Sequence, residues 1–464
     1  MQPRERPWAQ GGIGARTRVV VFLRNVSLRF DSPFDSDSGR IDPISRNIEM
    51  TGQNPIAVVG GGPAGALAAT LLADGGRGVV LFDEKLAWEK PCGGGITHKA
   101  LEQYPLLRGA GAQSRSVADC QLISPSGRRV RFHMQHPVAI FSRLALNGLL
   151  LERARGAGRG AARVEIRHER VTGITGAPGN WQLATPQGSY QASHVILAAG
   201  ARNALRGKFL APMAPEDLMV TAGYFIPGQT SLMQIQFLKE ITGYIWVFPR
   251  ADHVSAGIAG KMGELPTSEL RHTLEHWLEE HWLKENGLSL NGATFYSHIL
   301  PSLRTQTLEK LEVCGEGWSI IGDSAGLVDP ITGEGLYYAL RSAELCAQAL
   351  LEGQPDGYRS LLAEEVLPEL RLAAKVSRRF YRGEIFGDSV LEKIVALTAQ
   401  SATFRELMSD LFAGIQSYGD LRARMYRILP AVMAEGLAAT VGRSWSRNAR
   451  EMPDSEFGGN LLAE

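Results

Sequence analysis

"NPIAVVGGGPAGALAATLLADGGRGVVLFDEK" (residues 54–85) is the stretch of sequence that decides the fold. A β-rich apolar run at 56–59 is typical of a buried parallel strand. Small apolar residues at 64–73 favour a helix packed closely on a sheet, and a second apolar run at 79–82 ends in Asp83. The order strand, glycine turn, helix, strand and acid predicts a βαβ unit that binds a dinucleotide.

The glycines of this turn have separate physical tasks. Gly60 makes the tight turn, Gly62 lets the backbone approach a pyrophosphate, and Gly65 lets helix and strand touch. The helix N-terminus offers N–H groups and partial positive charge to the phosphates. Asp83 is expected to accept hydrogen bonds from a ribose, and it is preferred over Glu84 because it directly follows the strand. This pattern alone does not separate FAD from NAD.

A second stretch, "GWSIIGDSAGLVDPITGEGLYYALRSAELCAQAL" (317–350), favours FAD. A strand precedes Asp323, whose carboxylate can bind a polyol hydroxyl. A loop rich in Pro and Gly then leads into a helix that begins near Gly335. The backbone N–H groups of Gly335 and Leu336 would stabilise negative charge on the N1–C2=O edge of a reduced flavin.

These motifs carry a family resemblance. GxGxxG at 60–65 together with "GDSAGLVDPITGEGL" (322–336) resembles the FAD-binding signature of the p-hydroxybenzoate-hydroxylase-like flavoprotein superfamily. Within it, "KPCGGGI" (90–96) and "GYIWVFPR" (243–250) resemble the geranylgeranyl reductase family, whose members saturate isoprenoid chains on archaeal lipids, chlorophyll precursors and quinones. The resemblance implies an α/β fold: a Rossmann-like FAD-binding domain interleaved with an antiparallel-sheet substrate domain, plus a C-terminal helical region.

The resemblance also implies a set of flavin contacts. Carried over residue by residue, they are Ala64, Asp83, Cys92, Gly93, Gly95, Arg143, Asp323, Gly335 and Leu336. Cys92 is the candidate catalytic residue, because in the resembling reductases this cysteine lies at the flavin and helps protonation or gating. The alternative is a small packing residue, since a free cysteine is often buried.

Two positions depart from the family pattern. Asn147 stands where the helix that begins at Arg143 usually has Asp, which weakens a capping argument but leaves Arg143 in place. Ala199-Gly200 stands where the superfamily's hydroxylases usually carry Asp-Gly. Because that Asp helps to bind flavin and nicotinamide cofactor, its absence counts against an NAD(P)H-dependent aromatic hydroxylase.

Motif order predicts how the chain is divided. The first 53 residues, rich in Arg, are expected to be a disordered extension or a mis-assigned start, with Met50 as the alternative beginning. The remaining segments are 54–115, 143–206 and 313–352 for the FAD-binding domain, 116–142 and 207–312 for the substrate domain, and 353–464 for the helical region.

The substrate domain has an aromatic strand. A hairpin is expected within 119–134, and 218–260 is expected to form successive strands of an antiparallel sheet. In "GYIWVFPR", Tyr244, Trp246 and Phe248 alternate, so their side chains share one face of the sheet. That face is either ordinary core or a contact surface for a long apolar or planar substrate.

Composition narrows the partners. A net charge of +1 gives no indication of a nucleic-acid partner. The 4 cysteines are far apart, which predicts neither a disulfide framework nor a metal site and fits a cytoplasmic protein. The histidines within 268–283 are interpreted as solvated helix positions, so no metal is expected.

The C-terminal helical region can cover the active site or touch a membrane surface from outside, and the oligomeric state is left open.

Three functions follow, in order of preference. The first is an FAD-dependent oxidoreductase that reduces carbon–carbon double bonds of an isoprenoid or similar apolar substrate, with NAD(P)H or ferredoxin as electron donor. The second is a flavin monooxygenase or halogenase on the same fold, although Tyr244-x-Trp246 replaces the Trp-x-Trp element of a halogenase and no lysine motif is evident. The third is a flavin-binding protein without turnover.

Overall fold

The computed structural model describes residues 54–108, 114–385 and 387–448, with the side chains of the last helix up to residue 439. These residues belong to one compact unit, Met50–Glu464. The extension predicted for residues 1–53 and the end of the predicted helical region, 449–464, lie outside the described residues.

The strands alternate between two large sheets along the chain. In chain order they are β1 (Ile56–Val59), β2 (Val79–Phe82), β3 (Gly95–Ile96), β4 (Ser114–Ile123), β5 (Arg129–Phe141), β6 (Gly158–Arg159), β7 (Ala162–Arg167), β8 (Gly173–Ala177), β9 (Asn180–Thr185), β10 (Gly188–Ala192), β11 (His194–Leu197), β12 (Leu218–Pro227), β13 (Met233–Phe237), β14 (Gly243–Pro249), β15 (His253–Lys261), β16 (Thr294–Pro301), β17 (Cys314–Gly315), β18 (Trp318–Ile320), β19 (Glu384–Ile385) and β20 (Asp388–Ser389).

The helices cover the sheets and form the C-terminal region. In chain order they are α1 (Pro63–Asp74), α2 (His98–Gln103), α3 (Arg143–Arg155), α4 (Thr267–Leu278), α5 (Thr305–Glu309), α6 (Leu336–Leu351), α7 (Gly357–Glu365), α8 (Leu367–Arg382), α9 (Val390–Gln400), α10 (Ala402–Phe412) and α11 (Tyr418–Asn448).

The first sheet is the predicted dinucleotide-binding sheet. Its order is β17-β18-β11-β1-β2-β7-β6, and β1 pairs in parallel with both β2 and β11. Helix α1 is buried along most of its length and packs against α3 and α6, which explains its small side chains. Because the strands are parallel, the residues that follow β1, β2, β11 and β18 meet at one edge.

The second sheet has the order β16-β12-β15-β14-β13-β4-β5-β3. The strands within 218–260 pair antiparallel as expected, and β13 additionally pairs in parallel with β4. These two strands come from different chain segments, so no hairpin dictates their relative direction. The short β3, which lies inside the predicted FAD-binding segment 54–115, pairs with β5 of this sheet.

Two further features complete the frame. Strands β8, β9 and β10 form a small antiparallel sheet that the sequence analysis did not anticipate. Helices α9 and α10 pack on β5, and α8 and α11 pack on α9 and α10, so the C-terminal region lies against the second sheet. In the part of the chain that the structure describes, no helix has the length and apolar character needed to cross a membrane.

Candidate active site

A cavity of about 1600 Å³ lies where the two sheets and the C-terminal helices meet. One side, here called the first-sheet wall, is formed by residues that follow strands of the first sheet, namely Gly60, Gly62, Ala64, Asp83, Ala198 and Asp323. Another side, here called the helical wall, is formed by apolar residues of α8 to α11, namely Val376, Phe380, Ile394, Leu397, Phe404, Leu407, Met408, Leu411, Leu421 and Met425. A drug-sized ligand needs about 300–1,000 Å³, so the cavity has room for a larger guest.

The glycine turn between β1 and α1 has the geometry that its sequence predicts. Gly60 has a φ of +111°, and a Cβ there would lie 2.4 Å from the Ala198 carbonyl oxygen. A Cβ on Gly65 would lie 1.9 Å from the Gly60 carbonyl oxygen, so any side chain at either position forces the backbone apart. A Cβ on Gly62, the N-cap of α1, meets no atom within 4 Å. The first turn of α1, with Ala64, therefore opens onto the cavity.

Asp83 holds this turn in place. Its Oδ2 accepts a hydrogen bond from the Gly61 N–H at 2.6 Å, and its Oδ1 accepts from the N–H groups of Lys85 and Leu86 at 2.8 and 2.6 Å. A carboxylate has roughly four acceptor positions, so one remains for a ligand hydroxyl. The residue that was expected to contact a ribose also ties the glycine turn to the loop after β2.

The start of α6 faces the same cavity. Gly335 is the N-cap of α6 and Leu336 its first residue, and both line the cavity. Asp323 lies beside them, because a Cβ on Gly335 would be 3.1 Å from Asp323 Oδ1. The other carboxylate oxygen of Asp323 is 3.6 Å from Lys90 Nζ. Two helix N-termini, far apart in sequence, thus present partial positive charge to one space.

The Cys92 loop is anchored by Arg250, which ends the "GYIWVFPR" motif. The Arg250 side chain is fully buried. Its guanidinium donates to the Cys92 carbonyl oxygen and is ion-paired with Glu89. Ser255 Oγ also donates to the Cys92 carbonyl oxygen, at 3.1 Å. The two motifs that indicated the reductase family are therefore in direct contact.

The glycines after Cys92 are required by close packing. A Cβ on Gly93 would lie 2.7 Å from the Phe248 ring, and one on Gly95 would lie 3.4 Å from it. Gly94 has a φ of +84° and lies against the Phe141 carbonyl oxygen. The Cys92 thiol is half-buried, lines the cavity, and accepts the Gly94 N–H at 3.3 Å.

The aromatic strand lines the cavity with all three predicted side chains. Tyr244, Trp246 and Phe248 lie on the face of β14 that meets the cavity. The Tyr244 hydroxyl donates to the Thr332 carbonyl oxygen at 2.6 Å, and burial raises the pKa of that hydroxyl. Trp246 Nε1 lies 3.5 Å from Ser255 Oγ. This face joins the Cys92 loop to the loop before α6.

Arg143 begins α3 and is buried at the cavity. Its backbone N–H donates to Glu89 Oε1 at 2.8 Å, and its Nη2 donates to Asn147 Oδ1 at 3.2 Å. Asn147, which stands where the family usually has Asp, therefore still accepts a hydrogen bond from the Arg143 guanidinium. Glu89 connects Arg143 to Arg250.

Three tyrosine hydroxyls hold the loop 329–334 that precedes α6. Tyr418 of α11 donates to Asp329 Oδ2 at 2.9 Å, and Tyr244 donates to Thr332 as described. Tyr381 of α8 donates to the Ile331 carbonyl oxygen at 2.5 Å. Burial raises the pKa of Asp329. The C-terminal helices are thus joined directly to the start of α6.

The sequence analysis missed several residues of the site. Lys90, Asp329 and Glu334 line the cavity, whereas Arg250, with its partner Glu89, holds the Cys92 loop beside it. All of these except Glu89 lie in motifs noted in the sequence, and that position was the available signal, but nothing in the sequence showed their contacts. His298 had no such signal; it lines the cavity, and burial lowers its pKa to about 4.

Unpartnered nitrogen atoms support the fit of a bound cofactor. Arg143 Nε, Asn203 Nδ2 and His298 Nε2 are buried without a hydrogen-bond partner, and all three residues line the cavity. A buried polar atom without a partner costs about 1–3 kcal/mol, which a polar ligand would recover. Together with two helix N-termini and the Asp83 and Asp323 carboxylates, these donors suit FAD, with its pyrophosphate, ribose and ring oxygens.

No family model matches the chain, but individual known proteins are similar to it over most of its length. Chloroplastic geranylgeranyl diphosphate reductase of Arabidopsis thaliana is 24% identical over 421 residues, covering 82% of this chain and 86% of the relative. Menaquinone reductase of Mycobacterium tuberculosis is 28% identical over 327 residues, covering 64% of this chain and 76% of the relative.

Solved structures show the same fold. A geranylgeranyl bacteriochlorophyll reductase-like protein from Thermoplasma acidophilum has a TM-score of 0.66 at 19% identity, covering 82% of this chain and 99% of that one. A flavin-dependent brominase has a TM-score of 0.60 at 16% identity, covering 81% and 99%.

The fold, the cavity and these likenesses define the chain as an FAD-dependent oxidoreductase. The resemblance to the geranylgeranyl reductase family is confirmed by the relatives of that name and by the Thermoplasma acidophilum structure.

A pair of glycine variants separates folding from cofactor binding. Gly65→Ala places a methyl group 1.9 Å from a backbone oxygen, so we expect it to destabilise the apo-protein by about 3 kcal/mol and to weaken FAD binding. Gly62→Ala adds its methyl group in open space, so apo-protein stability should fall only by the cost of alanine at an N-cap, about 1 kcal/mol, while FAD binding weakens because the methyl group occupies the cavity. Thermal unfolding and FAD titration measure both effects. Equal destabilisation by the two variants would contradict this assignment.

Proposed function

We propose that this oxidoreductase saturates carbon–carbon double bonds of an isoprenoid chain. The observation that carries the proposal is the continuity of one cavity from two helix N-termini to an apolar helical wall. The polar donors suit the cofactor, and the apolar side chains suit a long hydrocarbon substrate. The relatives named for geranylgeranyl diphosphate and menaquinone, both isoprenoid compounds, support this class of substrate.

Each predicted site residue receives a role in this proposal. FAD, when bound and reduced, supplies a hydride for the substrate carbon. Its pyrophosphate would lie against the glycine turn (Gly60, Gly62 and Gly65) and the first turn of α1. Asp83 and Asp323 would accept hydrogen bonds from its hydroxyl groups. The remaining proposed cofactor contacts are Ala64, Cys92, Gly93, Gly95, Arg143, Gly335 and Leu336.

The aromatic face and the helical wall position the substrate. Tyr244, Trp246 and Phe248 would hold the reacting double bond beside the Cys92 loop, while the helical wall encloses the rest of the chain and excludes water. Cys92 would gate the approach, because its backbone is fixed by Arg250 and Ser255 while its thiol faces the cavity. NAD(P)H or ferredoxin is proposed as the electron donor.

A second candidate function is a monooxygenase or halogenase on the same fold. One observation favours it: Lys90 lines the cavity beside Asp323, and a lysine at the flavin is what a halogenase needs to receive hypohalous acid. Against it, Lys90 is already ion-paired and Tyr244 replaces the first Trp of Trp-x-Trp. A flavin-binding protein without turnover is the third candidate.

Anaerobic single-turnover measurements test the proposal. The protein with bound FAD is reduced with NADPH or with reduced ferredoxin, then mixed without oxygen with geranylgeraniol or menaquinone. We expect the flavin absorbance to return and the product to gain two hydrogen atoms per double bond, as read by mass spectrometry. A product that forms only with oxygen would support the second candidate, and failure of every donor to reduce the flavin would support the third.

Cys92→Ser tests the role of the thiol. The backbone carbonyl of Cys92, not its thiol, binds Arg250 and Ser255, so the loop should keep its place and FAD should stay bound. We expect substrate reduction to slow by at least about tenfold, because a gate positions the substrate and a misplacement of about 1 Å can cost about 100-fold. Buried Cys120→Ser serves as the control for loss of a thiol alone. An unchanged reduction rate in Cys92→Ser would limit Cys92 to packing.

The outer face of α11 suits a lipid surface. Tyr426, Leu429, Met433 and Leu437 are exposed there, with Leu437 67% exposed. The exposed positions of α11 between 422 and 438 include Arg422 and Arg427 and no acid. The inner face of the same helix lines the helical wall. We therefore propose peripheral contact with an anionic membrane, from which an apolar substrate can reach the cavity.

Vesicle flotation tests this contact. The protein is expected to float with vesicles of phosphatidylcholine and phosphatidylglycerol, and Met433→Ser with Leu437→Ser should reduce the bound fraction several-fold because two apolar side chains are lost. Ala423→Ser is the matched control on an exposed position of the same helix. Equal flotation of all variants, or a dimer in gel filtration that the double variant disrupts, would overturn the proposal.

A further inference from the structure

Glu334 is a carboxyl group on the wall of the cavity to which the roles above assign nothing. It directly precedes Gly335, the N-cap of α6, and its side chain lines the cavity. Its Oε1 accepts a hydrogen bond from Thr97 Oγ1 at 3.0 Å. Thr97 follows the Cys92 loop, so Glu334 lies between the two segments that are proposed to enclose the flavin ring.

The aromatic face is also close to Glu334. The Tyr244 hydroxyl donates to the carbonyl of Thr332, two residues earlier, and a Cβ on Gly333 would lie 2.5 Å from that hydroxyl. The loop carrying Glu334 is therefore fixed against the strand proposed to hold the substrate. A carboxyl group at this place is near both the cofactor site and the substrate site.

The surroundings of Glu334 favour its neutral form. The pKa of Glu334 is raised to about 7, chiefly by burial and also by the neighbouring Asp329, although the Thr97 hydrogen bond and Lys99 of α2 act in the opposite direction. Tyr337 and Tyr338 of α6 are the other titratable groups that interact with it. Glu334 therefore holds its proton to a higher pH than an ordinary glutamate does. Lys99 is exposed to solvent and also lines the cavity, so water can reach this end of it.

We propose that Glu334 donates the proton that completes reduction of the double bond. This inference rests on the proposed reductase function. FAD, when bound and reduced, would supply a hydride, with its electron pair, to one alkene carbon. The Glu334 O–H bond breaks as a C–H bond forms at the other carbon, so the alkene gains two electrons and two hydrogen atoms. The Glu334 carboxylate then regains its proton from water. Cys92 gates the substrate and Glu334 supplies the proton.

Glu334→Gln tests the inference, because an amide keeps the shape of the side chain but cannot donate an acidic proton. We expect FAD to stay bound and the flavin to accept electrons from its donor. The anaerobic rate of substrate reduction should fall at least about 100-fold, as expected for loss of a general acid. Glu309→Gln, at an exposed position of α5 away from the cavity, is the matched control. An unchanged rate in Glu334→Gln would overturn the inference.

The pH profile supplies a second readout. In the wild-type protein the reduction rate should fall as pH rises through about 7, because the proton is lost from Glu334. Thr97→Val removes a hydrogen bond that stabilises the carboxylate. The pH at which the reduction rate falls should therefore move up by about one unit in this variant. Thr97→Ser keeps the hydroxyl and should not move it. If the rate falls at the same pH in Thr97→Val as in Thr97→Ser, the inference is contradicted.

Infrared spectroscopy reads the proton without substrate or turnover. In the wild-type minus Glu334→Gln difference spectrum of the apo-protein, the C=O band of a protonated carboxyl should titrate near neutral pH. A carboxylate that stays ionised throughout overturns the inference even if no isoprenoid is reduced. The wild-type protein could reduce no isoprenoid while this band still titrates as expected. In that case the proposed function is wrong, but the protonation of Glu334 near neutral pH stands.

Discussion

The buried guanidinium of Arg250 is the contact on which the arrangement of the site depends. It extends from the second sheet to the Cys92 loop, where it donates to the Cys92 carbonyl oxygen and pairs with Glu89. Glu89 in turn accepts the N–H that begins α3 at Arg143. A buried cation is stable only when it is paired, and removing one partner typically costs about 3–5 kcal/mol. The Cys92 loop and the aromatic strand β14, proposed to meet cofactor and substrate, are therefore held in one geometry.

Around this contact, the cavity combines two physical environments. The first-sheet wall offers backbone N–H groups at the starts of α1 and α6, where partial positive charge suits phosphates and an electron-rich ring edge. The helical wall offers apolar side chains from α8 to α11. Because apolar walls exclude water, charges and dipoles on the first-sheet wall act more strongly than they would in solvent. This contrast suits transfer of a hydride to an apolar substrate.

The features that sequence predicts best are local ones. The glycines at 60 and 65 and the start of α6 are specified by spacing within short segments, and the structure places them as expected. Contacts between distant segments were not predictable, because nothing near Cys92 indicates that Arg250, 158 residues away, binds its carbonyl. The parallel pairing of β4 with β13 was not predictable for the same reason, because it joins strands that are far apart in the chain. Glu334 was visible in a motif noted in the sequence, but its hydrogen bond from Thr97, 237 residues away in the chain, forms only in the fold.

A crystal structure of the protein with FAD and an isoprenoid alcohol bound would test the central claim most directly, that one cavity serves both cofactor and substrate. The isoalloxazine ring is predicted to lie between the Cys92 loop and the first turn of α6, with the isoprenoid chain along the helical wall and one double bond beside Trp246. A flavin ring outside this space, or a helical wall that stays closed to the isoprenoid while the cofactor is bound, would contradict the account.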